Sequence, residues 1–338
     1  MEDRFAKVVP LVVVGASAGG VEALRTMVGA FAPDLAAAVL VVLHMPRAGP
    51  SALPMILDRV GPLPVTGAVD GQPLRPGQII IAPPDHHLLV IDGRARLSRG
   101  PAWNGHRPAV DPLFRSAARA AGPRTVAVVL SGSRDDGTAG AAVVAEHGGT
   151  VVIQDPDDAL HASMPRSVLD HVGRAQVCRT EMLGSLISEI VAKLVDGDHH
   201  GAVLGDSARQ EAVMDDLIGF TREDPPGRPA GLACPTCHGG LFEVVGEPTP
   251  RYQCRVGHAW SPGSLLEEQA AAFEGALWMA LRSLEEKAAL ARRMGRDAHL
   301  RRHQATAERY EETAREATQA GELIRELIRR LDQAPAEA

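Results

Sequence analysis

Five short apolar runs rich in β-branched residues recur early in the chain, at 8–14, 39–43, 78–81, 125–130 and 150–153. Between several of them lie stretches with helical spacing, at 21–30, 112–121, 138–147 and 165–171. A helix between two strands carries the chain back to the starting edge of a sheet, so the strands it joins run parallel. The runs are apolar on both faces rather than at alternate positions, which suits strands covered by helices on both sides. The pattern predicts a doubly wound, mostly parallel α/β sheet. One stretch breaks the rhythm: HLLVIDGRARLS (87–98) has Asp-Gly between two arms and predicts a β-hairpin. A helix over 181–194 closes this domain at residue 195.

Beyond it the character changes. Residues 196–231 contain DGDHHG and REDPPGRPAG and predict a linker with a short amphipathic helix at 208–220. His199 and His200 with Asp196 and Asp198 offer metal-ligand chemistry, but in a solvated linker. A cysteine-bearing module spans 232–262. From 263 to 333 there is no proline, and Ala, Glu, Arg and Leu dominate. Leu277, Leu281, Leu284, Ala288 and Ala291 recur at alternating spacings of four and three, as do Tyr310, Ala314, Ala317, Gly321, Ile324, Ile328 and Leu331. These stripes predict a helical hairpin with a turn at 294–297, or one long interrupted coiled-coil helix, and self-association through the tail.

The formal net charge of −7 gives no electrostatic case for nucleic acid as a partner. No apolar run is long enough to span a bilayer, and MEDRFAKVVPLVVVG reads as a strand rather than a signal peptide. The four cysteines are Cys178, Cys234, Cys237 and Cys254. Their clustering suits a metal site in a reducing cytoplasm, not a disulfide framework. Cys178, in AQVC, reads as a buried strand residue.

CPTC at 234–237 and CRVGH at 254–258 form Cys-x2-Cys and Cys-x3-His pairs, sixteen residues apart. Three thiolates and an imidazole make a closed tetrahedral zinc site, so Cys234, Cys237, Cys254 and His258 are the expected ligands of a structural zinc ribbon. His238 is the rival for the fourth place. The alternative is a set of reduced cysteines in a small core.

An open parallel sheet places its site beyond the carboxyl ends of its strands. Ser17 follows the first strand in GASAGG, His44 follows the second in LHMP, and Asp135 and Asp136 follow TVAVVLSG. Nucleophilic acyl transfer needs these three types: an imidazole takes the serine proton, and a carboxylate holds the imidazole in one tautomer. Each residue also has a plainer reading. Ser17 and Asp136 could be helix N-caps and His44 a structural strand-end histidine. The glycines of GASAGG could form an anion site at a helix N-terminus, although the loop lacks the dinucleotide and P-loop spacings and carries Glu22.

Six motifs in order carry a family resemblance: GASAGG, LHMP, IAPPDHHLLV, PAVDPLFRSAA, LSGSRDDGTAG and SMPRSVL. Residues 1–195 resemble the catalytic domain of bacterial protein-glutamate methylesterases of the CheB type. The resemblance implies hydrolysis of glutamate methyl esters on chemoreceptors, with methanol released, and deamidation of receptor glutamines. It places the nucleophile at Ser17, the base at His44 and the orienting acid at Asp136. It puts oxyanion donors near Ala18 and Ser133 and His87 near the pocket, where substrate contact and a structural role are alternatives. No catalytic cofactor is implied. Methylated receptors are the implied partners, with a response regulator, a kinase or a methyltransferase as others. A segment of the form CxxC…CRxGHAxS followed by a helical tail occurs in some standalone relatives.

Two departures stand out. Ser131-Gly132-Ser133-Arg134 replaces the family's TGMG, putting Arg134 where glycine is usual. The chain also starts directly at the catalytic strand, without the family's common receiver domain, which implies control that is absent or supplied by another protein. A competing reading is a catalytically weak scaffold that docks receptors or a methyltransferase through the cysteine module and tail.

Overall fold

A computed structural model describes residues 9–196, 227–246 and 248–332. The expected 208–220 helix and the His199-His200 pair lie outside the described residues. Two compact units divide the chain, Met1–Leu265 and Leu266–Ala338.

The first unit is built on a seven-stranded sheet of order β3-β4-β2-β1-β7-β8-β9, every neighbouring pair parallel. Its strands are β1 (Leu11–Ala16), β2 (Ala38–Leu43), β3 (Val65–Gly67), β4 (Gln78–Ile81), β7 (Thr125–Val129), β8 (Thr150–Gln154) and β9 (Gln176–Cys178). All five expected strands are present. The short edge strands β3 and β9 carried too few apolar residues to announce themselves. Cys178 ends β9 half-buried, not buried as expected, because an edge strand is covered less completely.

The helices are α1 (Gly20–Gly29), α2 (Leu53–Asp58), α3 (Val110–Ala121), α4 (Thr138–Glu146), α5 (Ser163–His171) and α6 (Thr180–Asp196). Side chains alternate across each strand, so β1 feeds two cores. Val12, Val14 and Ala16 pack with Leu24, Met27 and Val28 of α1 and Leu183, Ile187 and Val191 of α6. Val13 joins Leu113 and Phe114 of α3 and Val144 of α4 on the other face. Full burial of both faces explains why β1 and β2 have no polar position, and why the one polar residue of β7, Thr125, spends its hydroxyl on Ala117 O. The expected hairpin is β5 (His87–Ile91) with β6 (Arg94–Ser98), turning at Asp92 and Gly93, whose φ values are 51° and 68°. Positive φ at both positions is the turn that matches strand twist.

The order runs outward from β1 in one direction through β2 and β4, and from β7 in the other through β8 and β9. The carboxyl ends of β1 and β7 therefore flank the point where the topology switches, the place where open α/β sheets form their crevice.

A four-stranded antiparallel sheet, β10 (Arg228–Ala233), β11 (Gly240–Glu243), β12 (Tyr252–Cys254) and β13 (Ala259–Trp260), completes the first unit. The second unit is helical. Helix α7 (Pro262–Leu300) leads into it and α8 (Gln304–Asp332) follows. The chain breaks at 301–303, where Arg302 has φ 60°, and not at 294–297 as expected. Gly295 instead sits inside α7, close against Ala307 and Tyr310. The two stripes meet each other: Leu281, Ala288 and Ala291 are buried, as are Ala314, Ala317 and Ile328, with Gly321 close to Leu281 and Leu284. Much of the apolar stripe that predicted self-association is thus satisfied within the chain.

Candidate active site

Ser17, His44 and Asp136 come from three strand ends and meet at the topological switch. His44 Nδ1 lies 3.1 Å from Ser17 Oγ, and His44 Nε2 lies 2.7 Å from Asp136 Oδ2. The His44 and Asp136 side chains are 5% and 1% exposed, so their interaction is shielded from water.

The backbone explains the serine's position. Ser17 N–H donates to Ser131 O at the end of β7, and Gly20 N–H donates to Ser17 O. The N-cap of α1 is Gly19, in the left-handed region at φ 73°, with no side-chain cap. The hydroxyl of Ser17 is therefore turned to His44 and not to the helix, which removes the capping alternative. A Cβ on Gly19 would come within 2.8 Å of Leu160 and 2.7 Å of Ser131 Oγ. The space spared by this glycine is filled by protein, so the loop does not have the open cradle of a phosphate site. Ser131 stiffens the turn: its hydroxyl donates to Ala18 O and accepts from His161 N–H. The amides of Ser17, Gly20 and Gly132 are all engaged by backbone carbonyls.

Asp136 does not cap its own helix either; the N-cap of α4 is Gly137. Its carboxylate reaches the first turn of α3, accepting from Val110 N–H at 2.7 Å and Asp111 N–H at 3.2 Å. Asp111 returns the exchange by accepting from the N–H of Gly137, the N-cap of α4, and of Gly140 within it. Burial pushes Asp136 upward, but the bond and charge of His44 and the Val110 amide outweigh it and hold the carboxyl well below its ordinary range. Asp111 moves the other way, raised by burial and by the charge of Asp136 beside it. The negative charge thus resides on the acid facing His44. Asp135, the rival from the sequence, points elsewhere, accepting from the hydroxyls of Ser261 and Ser264.

Two residues of this site escaped the sequence reading. Asn104 bridges the two acids, its Nδ2 donating to Asp136 Oδ1 at 3.0 Å and to Asp111 Oδ2 at 3.1 Å. His106 stacks on His44 with ring centroids 3.6 Å apart. Both belong to a tight turn in which Trp103 and His106 exchange backbone bonds around Asn104 (φ 50°) and Gly105 (φ 80°). The Asn-Gly pair was the available signal, since it favours this turn, but no apolar arms flank it. Burial, and then the neighbouring charge of His44, lowers the pKa of His106 to about 4.

His87, read from the sequence as either a substrate contact or a structural histidine, lies in β5. It is fully buried, with Nε2 against Pro101 O at 2.9 Å and Nδ1 accepting from Ala109 N–H at 3.3 Å. Both ring nitrogens are spent on backbone, which is the arrangement of the structural alternative. Burial lowers its pKa to about 4 and keeps it neutral. Arg134 adopts φ 66°. The glycine-like backbone is retained with an arginine in it, and its Nη1 reaches the neighbourhood of Gly105. Ser133 is exposed.

The cysteine module forms a second cluster. The ligand atoms of Cys234, Cys237, Cys254 and His258 all lie within 4.8 Å of one another. Cys237 Sγ and Cys254 Sγ are 3.7 Å apart, and His258 Nδ1 is 3.7 Å from Cys234 Sγ and 3.6 Å from Cys254 Sγ. Tetrahedral zinc, with bonds of about 2.3 Å to sulfur and 2.0 Å to nitrogen, requires separations of about 3.8 and 3.5 Å. His238 is exposed and outside the cluster.

Residues 12–187, more than half of the chain, match the family described as CheB methylesterase. A protein-glutamate methylesterase/protein-glutamine glutaminase of Nocardioides sp. is 44% identical over 162 residues, covering 47% of this chain and 44% of the relative. One from Rhodospirillum rubrum is 40% identical over 161 residues, covering 46% and 42%. The chain thus spans less than half the length of these relatives. The crystal structure of the Thermotoga maritima CheB methylesterase catalytic domain aligns with a TM-score of 0.51 at 34% identity, covering 54% of this chain and 98% of that one. Fold, motif order and these matches agree: the chain belongs to the CheB methylesterase family.

Proposed function

We propose that this protein hydrolyses methyl esters of glutamate side chains on receptor proteins, with Ser17 as nucleophile, His44 as base and Asp136 as orienting acid. The observation that carries the proposal is the single imidazole held between a serine hydroxyl and a charged, buried carboxylate at the switch point. Neutral His44 keeps its proton on Nε2, donated to Asp136, which leaves the Nδ1 lone pair for Ser17. Nδ1 takes the hydroxyl proton as Ser17 Oγ attacks the ester carbonyl. The tetrahedral oxyanion needs preorganised donors. With the amides of Ser17, Gly20 and Gly132 engaged, those of Ala18 and Ser133 are the candidates. The carbon–oxygen bond to the methoxy group breaks as His44 returns the proton, and methanol leaves. Water, deprotonated by His44, then attacks the acyl-serine, and the proton goes back to Ser17 Oγ as glutamate departs. A glutamine side chain would follow the same course with ammonia as leaving group.

Cys234, Cys237, Cys254 and His258 would hold one zinc ion, making the small sheet a zinc ribbon. All four positions would come from protein, leaving none for water, so the ion would crosslink a sheet too small to bury its own core. The same reading puts the enzyme in the cytoplasm, where cysteines stay reduced.

The test is methanol release from methylated receptor protein by the full chain and by Ser17→Ala. Release by the parent and loss in the variant is the expected result. No release from any methylated receptor of the host would overturn the esterase assignment.

A further inference from the structure

The cysteine-bearing sheet is joined to the triad acid through one side chain. Asn104 is 2% exposed. Its amide group faces Asp136 and Asp111 through Nδ2, while Oδ1 accepts from Ser261 N–H at 2.8 Å. Its backbone N–H donates to Ala259 O at 2.8 Å. Ser261 directly follows β13, the last strand of the small sheet. One asparagine therefore spends both ends of its side chain, one on the catalytic carboxylate and one on the sheet 157 residues further along the chain.

A second contact reaches the same loop from the same side. Asp135, adjacent to Asp136, accepts from Ser261 Oγ at 2.7 Å and from Ser264 Oγ. A Cβ on Gly263 would stand 2.7 Å from Asp135 Oδ2, so the loop lies directly against this backbone. Packing backs the hydrogen bonds. Ala259 is buried with Leu89, Ile91, Trp103 and Ala109, Trp260 lies against Gly105, and the guanidinium of Arg251 sits 4.8 Å from the Trp103 ring centroid.

We propose that the cysteine-bearing sheet is a built-in positioning element for the esterase site, acting through Asn104 as a positioning residue and through the Ser261–Asp135 clamp. This rests on the triad reading above. Asp136 must present Oδ2 to His44 while its other oxygen is fixed. The Asp111 amide fixes it from one side and Asn104 from the other, while the Val110 amide steadies Oδ2 itself. Without the grip of Ser261, the Asn104 amide is free to turn, and the carboxylate loses its one side-chain donor besides His44 among the described bonds. The site is then a device that reports whether the small sheet is assembled.

The test uses the full chain and a fluorophosphonate, which phosphonylates activated serines with fluoride as leaving group, so that it does not depend on the receptor. Asn104→Gly preserves the positive-φ turn while deleting the side chain. Ser261→Ala with Ser264→Ala removes the clamp on Asp135. Small displacements of a catalytic group cost up to ~100-fold, so Asn104→Gly should slow the labelling of Ser17 about 10- to 100-fold, and the double serine variant about 3- to 10-fold. In Asn104→Gly, Asp136 concentrates its charge on His44, and the acid limb of the pH–rate profile moves to higher pH. Combining the substitutions should give less than the product of the separate effects, because both act on the Asp135–Asp136 segment. Labelling within twofold of the parent in Asn104→Gly, or a slower rate with an unmoved pH profile, overturns the proposal. If the parent itself is not labelled at Ser17, the triad reading fails and not the coupling alone.

Discussion

The imidazole of His106 lies flat on that of His44, centroids 3.6 Å and planes 12° apart. Its neutrality at ordinary pH follows from its lowered pKa of about 4, caused first by burial, so it supports His44 without adding a like charge. Stacking of this kind is worth ~0.5–1.5 kcal/mol, up to about tenfold in rate if it holds the base in place. His106→Phe should retain most of the Ser17 labelling rate and His106→Ala lose about tenfold. Equal rates in the two variants would show that the stack has no role.

Asp136→Asn should be far more damaging. Both oxygens of Asp136 face donors, so an asparagine amide must turn its own N–H towards donors at one end, and with the NH2 facing His44 it cannot accept from Nε2–H. The imidazole then favours the tautomer with its proton facing Ser17. Loss of turnover on the order of 10⁴ is expected, with the folded structure intact by circular dichroism. A loss below tenfold would assign the acid's role elsewhere.

Buried His87 and partly buried His106 make stability depend on pH. His87 and His106 both have folded pKa values of about 4, against 6.5 for the free side chain. Between those values the unfolded chain binds protons that the folded chain does not, so stability is full above about pH 7 and falls as pH drops towards 4. For fully buried His87 the loss amounts to about 3 kcal/mol. Denaturant titrations from pH 7.5 to 4.5 should show this decline, and His87→Gln should flatten it by up to one proton. An unchanged slope in that variant would remove His87 as the cause.

Metal analysis of the purified chain should give one zinc per molecule, lost in Cys254→Ser. Because Ser261 and Asn104 tie the small sheet to the triad acid, chelation should also slow labelling of Ser17. A folded, fully active, metal-free protein would contradict the zinc assignment.

Arg134 tests the cost of a side chain in glycine's conformation. At φ 66° a non-glycine residue carries ~1 kcal/mol of strain, more if β-branched. Thermal unfolding should rank Arg134→Gly within about 1 kcal/mol of the parent and Arg134→Val about 1–2 kcal/mol below it. Equal stability of the glycine and valine variants would show that the loop relaxes.

Much of this protein was legible along the chain, because its signals are local. Short, fully apolar, valine-rich runs such as LVVV and VLVV favour strands buried on both faces, and Asp92-Gly93 favours a hairpin turn by backbone preference. Ser17, His44 and Asp136 could be gathered in advance because parallel strands all end on one edge. The pairs at Cys234 and Cys254 carried their metal-ligand spacing with them. The helical break at 301–303 was missed because Gly295 resembles a turn in sequence, yet it continues α7 and packs beside Ala307 and Tyr310. Other features needed the tertiary structure. Whether Ser17 caps a helix or faces a base depends on the left-handed Gly19 and the carbonyl of Ser131. Whether His87 touches substrate depends on Pro101 and Ala109 enclosing it. That Asn104 holds Asp136 and Ser261 at once depends on strands far apart in sequence arriving at one side chain, and no local pattern records such a meeting.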